Sequence, residues 1–314
     1  MTILVTGGAG FIGSHLCERL VHQGQRVVAL DNFDPYYSIQ QKKENISQLL
    51  QNKRFSLVRG DIRSKALIES VISKHKVSKV VHLAAMAGVR HSVAHPAQTY
   101  DVNVSGTLNV LEACRVKGID QLVFASSSSV YGIQKQFPTK ETSPTDYPLN
   151  PYAASKKVGE VMCWNYHVNY GIPITALRFF TVYGPRNRPD MAVYKFGDGI
   201  FREKTISVFG DGSSKRDYTF VGDIAEAIDG ALMQELGFEV LNLGNNHPVM
   251  LSDLIRLLED SFGKKAKTKP VPWPKSDPNV TYADISKARR LLGWRPKTPV
   301  QKGIRAFADW YLER

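Results

Sequence analysis

Cysteine is scarce in this 314-residue sequence: Cys17, Cys114 and Cys163 are the only three. They are too few and too far apart for a disulfide framework or a zinc cluster. Each lies in an apolar helical pattern and reads as a small buried filler. Long hydrophobic runs are also missing. Met1 leads into a short apolar stretch with no basic segment ahead of it, and the uncharged stretch 2–17 is glycine-rich and too short to span a bilayer. No secretory signal or transmembrane helix is visible, so the expectation is a reduced, cytoplasmic protein without a membrane partner. Acidic residues are in deficit, 29 Asp plus Glu against 41 Lys plus Arg, a formal charge of +12. That excess suits nucleic acid, a membrane surface or an acidic small molecule. No aromatic-basic single-strand motif and no helix-turn-helix signature occurs, and the lysine run at 264–267 reads as a solvated face. No nucleic-acid partner is therefore expected, and an anionic small molecule is. With 43% hydrophobic and 22% charged residues, the composition excludes a disordered, collagenous or coiled-coil chain.

What is present is an alternation. Short β-branched runs at 3–5, 26–30, 56–58, 80–83, 122–125 and 174–177 are separated by helical patterns at 11–23, 64–74, 97–117 and 151–170. Strand alternating with helix implies a parallel sheet covered on both faces, and right-handed crossovers make it doubly wound. From about residue 179 the texture shifts to proline, glycine and charge. Shorter segments follow at 195–201, 206–209, 221–232, 240–243 and 251–262, with a last helix at 300–312. The fold class is therefore α/β: a Rossmann-type doubly wound parallel sheet over 1–178 and a smaller C-terminal α/β substrate lobe over 179–314, some segments of which return to the first domain. The proline-dense stretch 270–278 is either a connector or the rim of a site.

Gly7, Gly8, Gly10 and Gly13 join the first strand to the first helix. Glycines here allow a tight turn, backbone N–H groups close to a pyrophosphate, and close helix–strand packing. The helix N-terminus adds partial positive charge. Asp31 ends the second strand, where a carboxylate accepts from an adenosine ribose and repels the extra phosphate of NADP. The cofactor expected is NAD. Asp61 and Ile62 follow the third strand as an adenine contact, and Leu83, Ala84 and Ala85 close the fourth with small side chains. Packing alone would also account for those three.

Tyr152 and Lys156 stand four apart in YAASK, on one helix face. An ammonium there is expected to draw the phenol's pKa down, and a cationic nicotinamide to add to it, which makes Tyr152 a general base toward a hydroxyl. The pattern is common by chance. Here it follows FASSSSVYG (124–132), a serine-rich strand end where open α/β sheets bind ligands.

Together TGGAGFIG, Asp31, HLAA, SSSSVYG and YAASK resemble the extended short-chain dehydrogenase/reductase family, in order and over essentially the whole chain. The resemblance implies a triad of Ser127, Tyr152 and Lys156. It implies tightly held NAD, regenerated each turnover and contacted by Gly7, Gly10, Phe11, Ile12, Gly13, Asp31, Asn32, Asp61, Ile62, Leu83, Ala84, Ala85, Tyr152 and Lys156. It also implies a homodimer paired through helices 97–117 and 151–170. Similar 4,6-dehydratases carry an Asp-Glu pair after the triad serine or threonine, and similar decarboxylases a Glu two residues after it. Ser128 and Ser129 stand there instead, and hydroxyls do not supply those carboxylate roles. A nucleotide-sugar 4-epimerase remains, an isomerase working through a transient 4-keto sugar and bound NADH.

DNFDPYY (31–37), AGVRHS (87–92) and RFFTVYGPRNRPDMA (178–192) resemble UDP-glucuronate 4-epimerases more than UDP-glucose 4-epimerases. The resemblance places the sugar carboxylate among Ser127, Ser128, Ser129, Thr181 and Arg188, without a tight ion pair. It gives Arg216 the diphosphate and Asp277 the uridine ribose, with Val208 and Phe209 near the uracil. Similar proteins often place an arginine three residues before that aspartate. Pro274 occupies the position here, and Lys275 is the candidate replacement. Arg90 borders the site with no role assigned. Two alternatives stay open: a UDP-glucose or UDP-N-acetylglucosamine 4-epimerase, and a non-catalytic NAD(H)-sensing regulator on the same fold.

Overall fold

Residues 1–274 and 277–314 are described by a computed structural model; Lys275 lies outside the described residues. The first part of the chain runs β1 (Thr2–Thr6), α1 (Phe11–His22), β2 (Arg26–Asp31), α2 (Ile39–Asn45), β3 (Phe55–Arg59), α3 (Lys65–His75), β4 (Lys79–His82), α4 (Val89–Ala94), α5 (Pro96–Tyr100), α6 (Gly106–Lys117), β5 (Gln121–Ser127), α7 (Pro151–Tyr170) and β6 (Ile174–Phe179). The rest runs β7 (Thr181–Tyr183), α8 (Ala192–Phe201), β8 (Thr205–Phe209), β9 (Lys215–Phe220), α9 (Val221–Leu232), β10 (Phe238–Leu243), β11 (Pro248–Met250), α10 (Leu251–Phe262), β12 (Lys267–Val271), α11 (Ser286–Leu292) and α12 (Val300–Leu312).

Seven strands form one sheet in the order β10-β6-β5-β4-β1-β2-β3, every pair parallel. One face packs on α1 and α9 through Leu16, Leu20, Ile224 and Ile228; the other packs on α3, α6 and α7 through Ile68, Leu111 and Cys163. Strand order reverses between β1 and β4. The connections there leave for opposite faces, and a crevice opens beyond the strands' C-terminal ends. A second unit holds β11-β9-β7, the parallel pair β12-β8, and α8, α10 and α12 around Tyr183, Phe196, Leu254 and Phe307. All three cysteines are buried and free.

α9 and β10, beyond residue 178, are segments that return to the first domain: they complete the large sheet and its cover, because β10 pairs with β6 along Phe238–Leu243. One feature departs from the sequence expectation. The expected helix at 97–117 is broken by a π-turn at Asp101–Ser105 between α5 and α6. The wide turn aims Asn103 inward. Its Oδ1 accepts from Met86 N (2.8 Å), and its Nδ2 donates to Met86 O (3.1 Å) and Ser155 Oγ (2.9 Å). A π-turn at such a junction trades one regular helical bond for a side chain placed where the ligand-lining strand end needs it.

The long helix α7 is set by local chemistry. Asn150 caps α7 by accepting from Ala153 N (2.9 Å), Pro151 holds its first position, and Gly171 (φ 69°) ends it. Gly159 lets it lie on β5: a Cβ there would come within 2.4 Å of the Phe124 ring. Behind the serine-rich strand end, Arg178 and Glu160 form a buried ion pair (2.8 Å), and Ser126 Oγ donates to Glu160 (2.6 Å).

Candidate active site

One cavity runs along the crevice. Its wall carries Gly7, Gly10, Phe11, Ile12, Gly13, Asp31, Asn32, Asp61, Ile62, Leu83, Ala84, Ala85, Tyr152 and Lys156, so the structure gathers every residue assigned to the cofactor. The glycine loop is built for close approach. Gly7 has φ +71°, and a Cβ on Gly13 would meet Gly7 O at 2.1 Å. α1 begins with no side-chain cap and no acidic residue in its first turn, which leaves N–H groups for an anion. Asp31 is held at the wall by Ala9 N (3.1 Å) and Phe33 N (2.9 Å). Asp61 accepts from Arg63 and Asn32, and these partners hold its carboxyl at about 2. The Tyr37 hydroxyl is buried on this wall with no partner among the described residues. An anion-receptive helix start, a ribose-height carboxylate and an orphaned donor together fit a dinucleotide.

A second, larger cavity of about 900 Å³ opens between the sheet and the lobe. Ser127, Ser128, Ser129, Thr181, Arg188, Arg216 and Asp277 line it, as do Phe209 and Arg90. Trp273, Asp277 and Pro278 make the proline-dense stretch a rim. Tyr152 and Arg188 line both cavities. Val208 departs from expectation. On β8 it alternates with Ser207 and Phe209 and packs on the lobe core, while those two face the cavity.

Tyr152 is buried, and that burial raises its pKa; the Ser127 hydroxyl facing it and the Arg188 guanidinium act the other way. Of the charges that bear on the phenol, Arg188 lowers its pKa and Asp190 raises it. Lys156 is turned toward the strand, where Nζ donates to Ala125 O (2.7 Å) and lies 5.1 Å from the Phe124 ring. Burial brings its pKa down to about 8. Ser127 Oγ donates to Ser129 Oγ and accepts from Ser129 N, both at 3.2 Å, so the strand end and the turn after it present clustered hydroxyls.

Arg188 is no solvated loop charge. Its Nε and Nη2 meet the Asp190 carboxylate at 2.9 and 3.0 Å, and Nη2 also donates to Ala87 O (2.9 Å). Tyr36 OH donates to the same carboxylate (3.1 Å). Sequence reasoning passed over Tyr36, Tyr37, Lys42 and Asp190. The first two stand inside DNFDPYY and Asp190 inside the 178–192 segment, but only the fold shows what they touch.

A profile of the GDP-mannose 4,6 dehydratase family matches residues 4–307. The chain belongs to this family. It is a family of extended short-chain dehydrogenases/reductases, as the motifs imply. Within it, the UDP-glucuronate 4-epimerase of Thermodesulfobacterium geofontis is 40% identical over 311 residues, spanning 99% of this chain and 96% of that one. The solved UDP-glucuronic acid 4-epimerase of Bacillus cereus, in complex with UDP-glucuronic acid and NAD, superposes with a TM-score of 0.94 at 37% identity, covering 100% of this chain and 99% of that one. The UDP-glucose 4-epimerase of Thermotoga maritima, with UDP-glucose, gives 0.91 at 32% identity over 100% and 99%. This family is named for a dehydratase, but these three relatives are epimerases.

Proposed function

We propose that this protein is an NAD-dependent isomerase that inverts carbon 4 of UDP-glucuronate to give UDP-galacturonate. One observation carries the reading. The Tyr152–Ser127 pair sits where the dinucleotide cavity opens into the larger one, and the groups around it there are Ser128, Ser129, Thr181 and an already paired Arg188. A hydroxyl cradle can hold a sugar carboxylate without a tight ion pair. Arg188, committed to Asp190 on two nitrogens, has less charge to give, and a 4-keto acid held this way is less prone to lose carbon dioxide.

NAD, when bound, supplies the hydride acceptor and donor. The glycine loop and α1 hold its phosphates, and Asp31 its ribose. Tyr152 takes the proton from the sugar 4-hydroxyl and gives it back to the same oxygen after the sugar has turned, while Ser127 shares that hydrogen bond. Lys156 is buried beneath the same strand end and holds a positive charge below pH about 8. Arg216 and Asp277 keep the nucleotide in place while the sugar turns. Two further features belong to the proposal: a homodimer, supported by the exposed apolar residues Val161, Trp164 and Val168 on α7, and a cytoplasmic location, supported by three free cysteines.

Incubation with UDP-glucuronate and UDP-glucose in separate vessels, followed by separation of epimers, tests the reading. UDP-glucuronate is expected to turn over to a mixture of epimers with no net NADH. Steady NADH accumulation sinks the epimerase assignment, and turnover of UDP-glucose alone sinks the carboxylate cradle.

A further inference from the structure

Arg90 enters the larger cavity from the first turn of α4, on the sheet domain, and reaches the opposite wall. Its guanidinium carbon lies 4.4 Å from the centre of the Phe209 ring on β8. The Asp277 carboxylate stands 3.9 Å away, beyond hydrogen-bonding distance. Among the described residues, the guanidinium makes no hydrogen bond. Its face is spent on the ring while its N–H edge is not, an arrangement open to arginine and closed to lysine. Arg216 is built in parallel. It lies 5.7 Å from the Trp273 ring, and its Nη1 is fixed by Lys215 O (3.0 Å) and Asn279 O (2.9 Å). Asp277 is the carboxylate whose charge reaches both guanidiniums, though it bonds neither, so this end of the cavity carries excess positive charge.

We propose that Arg90 is a second phosphate contact: Arg90 and Arg216, from opposite walls, together hold a nucleoside diphosphate. This rests on the nucleotide-sugar reading of the site. A diphosphate presents two charged groups, and one pinned arginine satisfies only part of them. Arg90 needs no refolding to serve. Its edge turns from a carboxylate it does not bond to phosphate oxygens it can grip in a forked geometry. Release from Arg90 leaves Asp277 free to accept from ribose hydroxyls. Phe209 fixes the plane of the guanidinium meanwhile, so little side-chain freedom is lost on binding.

Titration calorimetry on the NAD-loaded protein with UDP, UMP and uridine tests the assignment, comparing the unsubstituted protein with Arg90→Met and Arg90→Lys. Loss of a charge-assisted contact is expected to weaken UDP by about tenfold or more in Arg90→Met while uridine changes less than about twofold. Arg90→Lys recovers part of the loss. NAD content and melting midpoint, read alongside, should match the unsubstituted protein, because Arg90 is half exposed. Equal weakening of UDP and uridine overturns the phosphate contact in favour of rim packing, and unchanged UDP binding overturns it outright. If the unsubstituted protein fails to bind UDP, the nucleotide-sugar reading itself falls, a result distinct from either.

Discussion

The Tyr152 phenol is buried and faces the Ser127 hydroxyl, with Arg188 drawing its pKa down and Asp190 pushing it up. Burial alone keeps the phenol protonated, so its proton must leave with help from neighbouring positive charge. Tyr152→Phe should lower turnover by about 10²–10⁴-fold, the usual worth of a positioned acid–base group, and leave bound NAD unchanged; chromatography of epimers and cofactor absorbance check both. Arg188 touches Asp190 and Ala87 and lines the sugar end of the site. Arg188→Ala should cost glucuronate turnover far more than it costs binding of UDP. Equal losses on both would place Arg188 in the scaffold only.

At the scale of elements, the π-turn before α6 ties the strand-end loop at Met86 to α7 at Ser155 through Asn103. Asn103→Leu leaves buried Met86 groups without partners, and a loss of about 1–3 kcal/mol is expected in urea unfolding. β9 carries a different signature. Asp217 on it is buried and accepts from Asn245, Asn246 and Ala283 N–H groups, and burial raises its pKa from 3.8 to about 6. The folded protein therefore holds this proton more tightly than the unfolded chain. The associated stability is fully present below pH about 4 and lost as pH rises through about 6, about 3 kcal/mol for two units. Asp217→Asn should flatten that slope between pH 4 and 6, whatever constant offset it adds. An unchanged slope would rule out Asp217 as its source.

For the whole molecule, the sheet's outer helices leave an apolar surface. Val161, Trp164 and Val168 on α7 and Leu108 and Val116 on α6 are exposed. Exposed apolar residues of this kind are what the proposed dimer would cover. The unsubstituted protein is expected to sediment as a dimer and Trp164→Glu as a monomer with the melt still cooperative; a monomeric unsubstituted protein overturns the dimer, and a dimeric variant moves the interface elsewhere. No described helix is long and apolar enough to cross a membrane. The +12 charge gains only a partial explanation, since Arg90 and Arg216 meet the larger cavity while residues such as Lys265 lie on the surface.

The sequence alone determined what depends on near neighbours. Strands and helices of the large sheet, the glycine turn, Asp31 at a strand end, and Tyr152 and Lys156 one turn apart all follow from spacing and periodicity along a few residues. α2, β11 and β12 were not legible, because they are short and make sense only once another strand or helix lies beside them. The same holds for roles. Which side of β8 faces the cavity, which carboxylate holds Arg188, and where the Lys156 ammonium points are set by groups distant in sequence: Lys156 bonds a carbonyl 31 residues away, and Tyr36 reaches a carboxylate 154 residues away. Local chemistry fixed which residues could react. Only long-range packing decided which of them meet, because the energies that orient buried charged and hydroxyl groups come from partners that chain order does not reveal.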